Sequence, residues 1–339
     1  METLEKNIVQ VVIDGKNVTE DVSPYLSRLS YTDKVEAESD DVTLVFEDVA
    51  GYWQNGWYPQ QGDSLTVTIG SPGNPLDCGI FEIDEVELEF PPDTVTVRGI
   101  GTAISKALRT KNSKAFEKQS LLKIAQYFAK KHGLTITGNT SELQKIEIER
   151  KTQDRQTDLS FLADLAKEYG IVFSVRGSQL IFIDIEELEK KPAILTIHKN
   201  EISRARFADK TSQIYGSAVV ATRNMKTNSV RRWNYTPPKG DVMGVLVSNA
   251  IKEKVAAENE TQAQAKAKGA LKDKNKDKIT GSLTVEGNVK LVAGINIELV
   301  DIGTFSGKWH VVSSSHSIDN SMGYVTDVAI RKIEKKEPA

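Results

Sequence analysis

Four histidines, one cysteine, a run of spaced glutamates and one arginine–aromatic cluster are the side chains of this sequence whose types could support chemistry. The histidines are His132, His198, His310 and His316. None forms a metal-ligand pair at helical spacing, and no HExxH occurs. His132 ends an apolar-periodic segment, where a cation suits the helix dipole. His198 lies beside Lys199 at a predicted strand end. His316 shares the apolar phase of Ile318 and reads as a core or interface residue. No nucleophile, base and orienting group can be assembled from the local sequence around any of them.

Glu85, Glu87 and Glu89 line one face of a predicted strand. Glycoside hydrolysis needs two carboxylates in different environments across a cleft, which a same-face stripe does not provide. The stripe reads as a solvated face, or as an acidic channel lining that repels nucleic acid. Arg231-Arg232-Trp233-Asn234-Tyr235 mixes cations and aromatic rings as single-strand binders do. In a chain of formal charge −3 it reads as a partner-binding or packing loop. Gly99-Ile100-Gly101 lacks the third glycine of a dinucleotide fingerprint, and no GxxxxGKS/T phosphate loop is present. Cys78 stands alone, which excludes an intramolecular disulfide and a cysteine-based zinc cluster. The sequence therefore assigns no catalytic, cofactor-binding or metal-binding residue, and no cofactor.

The elements that must position these residues change character along the chain. Its 339 residues suffice for two or three domains. Lys plus Arg (44) nearly balances Asp plus Glu (47), which argues against a protein whose main task is coating nucleic acid. The start carries alternating charge and no apolar h-region, and apolar runs fall far short of the ~20 residues that cross a bilayer. We expect synthesis in a cytoplasm, no classical export and no membrane insertion. Over the first hundred residues, Val42-Thr43-Leu44-Val45-Phe46 and Leu65-Thr66-Val67-Thr68-Ile69 alternate as half-buried strands do, with turn residues at short intervals. Apolar residues switch from odd positions (Phe81, Ile83) to even ones (Val86, Leu88, Phe90), which requires a bulge near Asp84-Glu85.

Two helices follow. Leu121, Leu122, Ala125, Phe128 and Ala129 form one stripe, capped by Ser120 and ended by Gly133. Leu159, Leu162, Ala163 and Ala166 form the next, with Thr157 at its N-cap and Gly170 at its end. A third helix is predicted over about 255–274, with an Asn259/Gln262 capping box and a small-residue stripe of Ala263, Ala267, Ala270 and Leu271. Lys266, Lys268, Lys272 and Lys274 read as its solvated face.

The last sixty residues repeat the first hundred in outline. Gly294-Ile295-Asn296-Ile297 follows Gly62-Asp63-Ser64-Leu65, and Gly307-Lys308-Trp309-His310-Val311 follows Gly79-Ile80-Phe81-Glu82-Ile83. Val285-Glu286-Gly287 is aligned with Ile13-Asp14-Gly15, and Tyr324-Val325-Thr326 with Thr94-Val95-Thr96. The phase switch recurs after Val311. A duplicated β-domain would let three chains place six near-equivalent units around a ring.

The ordered set resembles a known family, the phage late control protein D proteins, which are baseplate hubs of contractile tails and related injection machines. Its carriers are Asp41–Asp48, Trp57, Gly62–Gly70, Gly79–Val86 and Pro91–Val95. In the helical region they are Ile124-Ala125, His132-Gly133-Leu134 and Gln156–Leu162; at the end they are Ala293-Gly294-Ile295, Gly307-Lys308-Trp309, His316 and Gly323–Thr326.

The resemblance implies an α+β, mainly β fold: two tube-type β-barrel domains with an inserted small α/β module. The expected boundaries are 1–110, 111–186 and 187–339, the last holding a loop excursion over about 216–250. It further implies a homotrimeric, non-enzymatic symmetry adapter between a sixfold tail tube and a threefold central spike, with the tail tube, spike, baseplate wedge and tape-measure proteins as partners. It implies no specific nucleic-acid binding. The chain stops at Lys335–Ala339, so a separate spike protein is expected. Two other classes remain open from the residues alone: a tail-associated cell-wall hydrolase, and a glycan-binding adhesin using Trp53, Trp57 and Trp233.

Overall fold

The computed structural model describes residues 8–35, 39–71, 73–101, 110–210, 214–224, 229–236, 250–253 and 260–333. The first part is β: β1 (Ile8–Ile13), β2 (Lys16–Asn17), a short α1 (Thr19–Val22), β3 (Leu26–Lys34), β4 (Asp41–Glu47), β5 (Ser64–Ser71), β6 (Asn74–Glu89) and β7 (Thr94–Gly101). The alternation has the expected consequence. Val42, Leu44 and Phe46 of β4 and Leu65, Val67 and Ile69 of β5 are buried in one core with Leu29, Tyr31, Phe81, Ile83, Val95 and Val97.

The middle part contains β8 (Lys111–Ser120), α2 (Leu121–His132), β9 (Thr135–Gly138), α3 (Thr140–Lys145), β10 (Glu147–Thr157), α4 (Asp158–Glu168), β11 (Ile171–Arg176), β12 (Gln179–Asp184) and α5 (Ile185–Lys190). The helix punctuation is as read. Ser120 Oγ accepts from the Lys123 N–H, Thr157 Oγ1 accepts from the Ser160 N–H, and Gly133 takes the left-handed conformation at φ 67°. Both helices bury their stripes in one core with Phe173, Leu180 and Phe182. The antiparallel pair β8–β10 and the helix α3 were not foreseen.

The last part holds β13 (Leu195–His198), β14 (Ile202–Asp209), β15 (Ser217–Asn224), β16 (Ser229–Tyr235), β17 (Ala250–Glu253), α6 (Glu260–Asn275), β18 (Ile279–Glu286), β19 (Asn296–Val300), β20 (Gly307–Asp319) and β21 (Gly323–Lys332). The stretch read as a loop over 216–250 is corrected in part: β15 and β16 form an antiparallel hairpin, and β17 runs parallel to β15. Ala263, Ala267 and Leu271 of α6 pack on Ala218 and Val220 of β15, so the small stripe serves close packing on a sheet as expected. Asn259, half of the expected capping box, lies outside the described residues. Of the four lysines read as solvated, Lys268 and Lys274 are exposed. Lys266 is buried with its Nζ 3.0 Å from Glu168 Oε2, and Lys272 lies 3.4 Å from Asp184. The alkyl stem of a lysine joins an apolar face when its ammonium finds a carboxylate.

The internal repeat is visible in the pairing. The strands β5-β6-β7-β4-β3 and β19-β20-β21-β18-β14 lie in the same spatial order and follow the same chain order. Bulges recur at matching places: β6 between Ile83 and Glu85, and β20 between Val311 and Ser313. A second matched pair falls between Leu26 and Arg28 of β3, and between Ile202 and Arg204 of β14. The ladders make Leu44 equivalent to Leu283, Gly99 to Ile330 and Phe81 to Trp309. Two details of the sequence alignment shift. Val285 belongs to β18 and matches Phe46 of β4, not Ile13. Thr326, opposite Val285, matches Val95, one residue from the expected register.

The two halves are not separate closed barrels. Ser313–Asp319 of β20 pairs antiparallel with Arg28–Lys34 of β3, giving a single thirteen-stranded sheet whose main path ends at β14 and β2. The edge of β3 that a closed first half would use is occupied by β20, so no closed barrel forms among the described residues.

Candidate functional site

The joint between β20 and β3 has two faces. On the polar face, Thr32 and Ser315 hydroxyls are 3.3 Å apart and Arg28 lies 4.0 Å from Asp319. On the core face, His316 stacks on Tyr31 with ring centroids 6.0 Å apart. His316 Nε2–H donates to the Leu291 carbonyl at 3.1 Å, while Nδ1 accepts from the Tyr324 hydroxyl at 2.8 Å. Burial pushes its pKa down to about 4, so it stays neutral and fixes the joint. The core or interface role read from its phase is the one it has.

Beside the joint, Asp33 holds three parts of the chain together. Its Oδ1 accepts from Arg176 Nη2 of β11 at 2.6 Å, and its Oδ2 accepts from the Ala293 N–H at 2.8 Å. Asp40 lies against it and accepts from the Lys34 N–H at 3.2 Å. Burial and the neighbouring Asp33 charge push the Asp40 carboxyl up to about 7, so one proton is shared between the two acids near neutrality.

Two further polar nodes are buried. Asp158 begins α4 and receives Lys131 Nζ at 2.6 Å, His132 Nε2 at 2.8 Å, Gln153 Nε2 at 2.8 Å and Asn112 Nδ2 at 3.1 Å. Burial raises its pKa, but the hydrogen bonds from Gln153, Lys131 and His132 outweigh that and hold the carboxyl low. His132 is thus a helix-end residue whose ring is aimed inward. Asn296 Nδ2 donates to the Leu188 and Lys191 carbonyls, each at 2.8 Å, and its Oδ1 accepts from His310 Nδ1–H at 2.9 Å. Burial, with Arg331 nearby, lowers the His310 pKa to about 3. Each node ties α/β-module elements together or to the sheet, and its hydrogen bonds specify one arrangement of the parts, the buried His310 Nε2 taking no share in them.

The other candidates are not brought together. Glu85, Glu87 and Glu89 are exposed; Arg98 bridges the first two at 2.5 and 3.4 Å, with no opposing cleft carboxylate. His198 lies 3.0 Å from Asp301 on the surface. Cys78 is buried, and burial raises its thiol pKa. Arg232 is exposed, whereas Trp233 and Tyr235 pack on the α6 cluster. Gly99 and Gly101 sit in β7, not in a phosphate loop. Trp53 is buried and stacks on Phe46 at 4.1 Å, which removes it from any exposed aromatic platform. Among the described residues there is no group of three or more His, Cys, Asp or Glu that could hold a metal, and no helix long and apolar enough to cross a membrane. Asp33, Arg176 and Asn296 were missed because their partners lie far away in sequence. Asp40 was missed although Asp33 and Lys34 are near it, because no local pattern marks a buried acid pair.

A thirteen-stranded sheet made of two like halves, locked to an α/β module by buried polar nodes, is a scaffold geometry. The sequence profile of the phage tail baseplate hub (GPD) family matches residues 87–322. The chain belongs to that family. It is 25% identical over 250 residues to the probable baseplate hub protein of Escherichia phage 186, covering 72% of this chain and 60% of that one. It is 28% identical over 231 residues to the probable baseplate hub protein of Escherichia phage P2, covering 67% and 56%. The aligned part thus spans less than two thirds of these relatives.

Solved structures share the fold. A 43 kDa tail protein of prophage MuSo2 from Shewanella oneidensis matches with a TM-score of 0.71 at 17% identity, covering 96% of this chain and 98% of that one. The tail protein from Neisseria meningitidis MC58 gives 0.72 at 13%, covering 96% of each. The Escherichia coli c3393 protein, a type VI secretion component, gives 0.59 at 11%, covering 98% and 79%. The family match begins within β6, yet these structural matches extend across nearly the whole chain. The hub family is one of structural tail components.

Proposed function

We propose that the chain acts as a non-enzymatic structural hub, three copies of which close a ring of six near-equivalent β-units in a virion tail or injection particle. The ring adapts a sixfold tail tube on one side to a threefold central spike on the other; baseplate wedge and tape-measure proteins are further neighbours. The chain is made in the bacterial cytoplasm and assembled there into the tail. One observation supports this reading above the rest: two halves with the same strand order are already joined edge to edge through β3 and β20, so one chain has the form of a third of such a ring. Completing the ring gives each half the closed, tube-type environment that it lacks alone, and hides exposed strand edges. Met322 (65% exposed), in the turn of the β20–β21 hairpin, and Val49 (83%), in the connection from β4 to β5, suit contact with a stacked neighbour. Obligate contacts between copies should bury on the order of 2,000 Å² or more each.

Light scattering on the purified chain tests this. Three copies of the 37.4 kDa chain give a mass of about 112 kDa. A monomer, with or without the spike protein present, would count against the proposal.

A further inference from the structure

We infer that neighbouring copies join through the β6 edge at 85–90 and the free edge of β14 at 204–210, in the register of the internal β20–β3 joint, and that opposite charges select this pairing. The inference rests on the ring reading above and adds the residues that make its joint.

The internal joint supplies the register. Ser313 pairs with Lys34, Ser315 with Thr32, Ser317 with Ser30 and Asp319 with Arg28. Ser313 and Glu85 are the first residues after matched bulges, opposite Ala329 and Arg98. Arg28 and Arg204 are likewise the first after the matched bulges of β3 and β14. The β6 segment from Glu85 to Glu89 pairs only with β7 among the described strands, and β14 only with β18. These are the two edges that the repeat leaves open.

Carrying the internal register onto them puts Glu85 opposite Lys210, Glu87 opposite Ala208 and Glu89 opposite Arg206. It puts Val86 opposite Asp209, Leu88 opposite Phe207, and Phe90 opposite Ala205. Leu88 takes the place of His316, and Phe207 that of Tyr31, so the His316–Tyr31 contact becomes an apolar one. Leu88 and Phe90 continue the phase of the core-packed Val86, yet are 41% and 71% exposed. A second copy would cover them.

The charges explain the choice of partner. Arg204 and Arg206 are exposed and have no ion-pair partner among the described residues. The β6 edge is acidic and the β14 edge basic, so either edge repels a copy of itself and accepts the other. That favours head-to-tail closure over a twofold dimer. The internal joint carries serines at the places of the glutamates, because two edges in one chain need no selection.

Sedimentation velocity on three charge variants, with disulfide trapping, tests the joint. E85K/E89K and R206E/K210E should each weaken self-association about tenfold or more, and the combined four-residue variant should recover most of the loss. Circular dichroism of each variant checks that it stays folded. Residues directly opposite lie ~4.5–5.5 Å apart at Cα, within disulfide reach. E87C/A208C under mild oxidation should therefore give covalent multimers that neither single cysteine variant gives. If the wild type forms trimers but the charge variants associate unchanged and E87C/A208C does not cross-link, this joint is wrong and the ring stands. If the wild type stays monomeric throughout, both fall.

Discussion

Arg176 and Asp33 meet at 2.6 Å although 143 residues separate them, and their contact binds the α/β module to the first strands of the sheet. Asp33 is buried, and its other oxygen holds the Ala293 N–H. Removing the guanidinium leaves a buried carboxylate without its charge partner, which costs about 3 kcal/mol. Arg176→Ala should lower stability by that order in urea unfolding; a change under ~0.5 kcal/mol would show that the contact does not hold the parts together.

Asp40 should make stability fall with rising pH in one window. Its folded pKa is raised to about 7 from an ordinary value of 3.8, so the folded chain binds the extra proton between those limits. That contribution is complete below about pH 4 and is lost as pH rises through about 7. Asp40→Asn keeps an acceptor for the Lys34 N–H and mimics the protonated acid. It should stabilise the chain at pH 8 by on the order of 1–2 kcal/mol and be neutral near pH 5. An unchanged difference between those two pH values would refute the shared proton.

The buried histidines act in the opposite direction. His310 and His316 are held at about 3 and about 4, below the ordinary 6.5. The unfolded chain takes up their protons first, so stability is full above pH 6.5 and falls toward pH 4. Each should contribute a loss of about 2 kcal/mol between pH 6.5 and 4.5, outweighing the single Asp40. His316→Gln, which can replace both hydrogen bonds, should remove its share of this acid sensitivity in thermal melts; an unaltered pH profile would place that ring's titration elsewhere.

Asp158 should govern the α/β module locally. Asp158→Ala strands Gln153 and removes the anion from the first turn of α4, a loss of about 2–3 kcal/mol. Hydrogen exchange should speed up in α2 and α4 while β4, β5 and β7 keep their protection. Uniform loss of protection would mean that the module does not open independently.

Local signals were legible in the sequence. Ser120 and Thr157 announce their helices because a cap is a contact within three residues, and the bulge after Ile83 shows because period two admits no phase change without one. The repeat showed through Gly62/Gly294, just before β5 and β19, and through Gly79/Gly307, inside β6 and at the start of β20, all four with positive φ. Val285 was matched to the wrong strand because its Glu286-Gly287 sequence imitates the Asp14-Gly15 turn. The β8–β10 pair was hidden because Lys111–Ser120 buries only Phe116 and Ser120, leaving almost no periodic signal. Ala218 and Val220 are too few to mark a strand without α6 above them. Asp33 was out of reach of any local reading, since Ala293 lies 260 residues away.

Electron microscopy of the purified chain bears most directly on the central claim. The account predicts a hollow ring with threefold symmetry in which six similar β-units surround one channel. Isolated particles of one chain, or a closed twofold dimer with no channel, would contradict it.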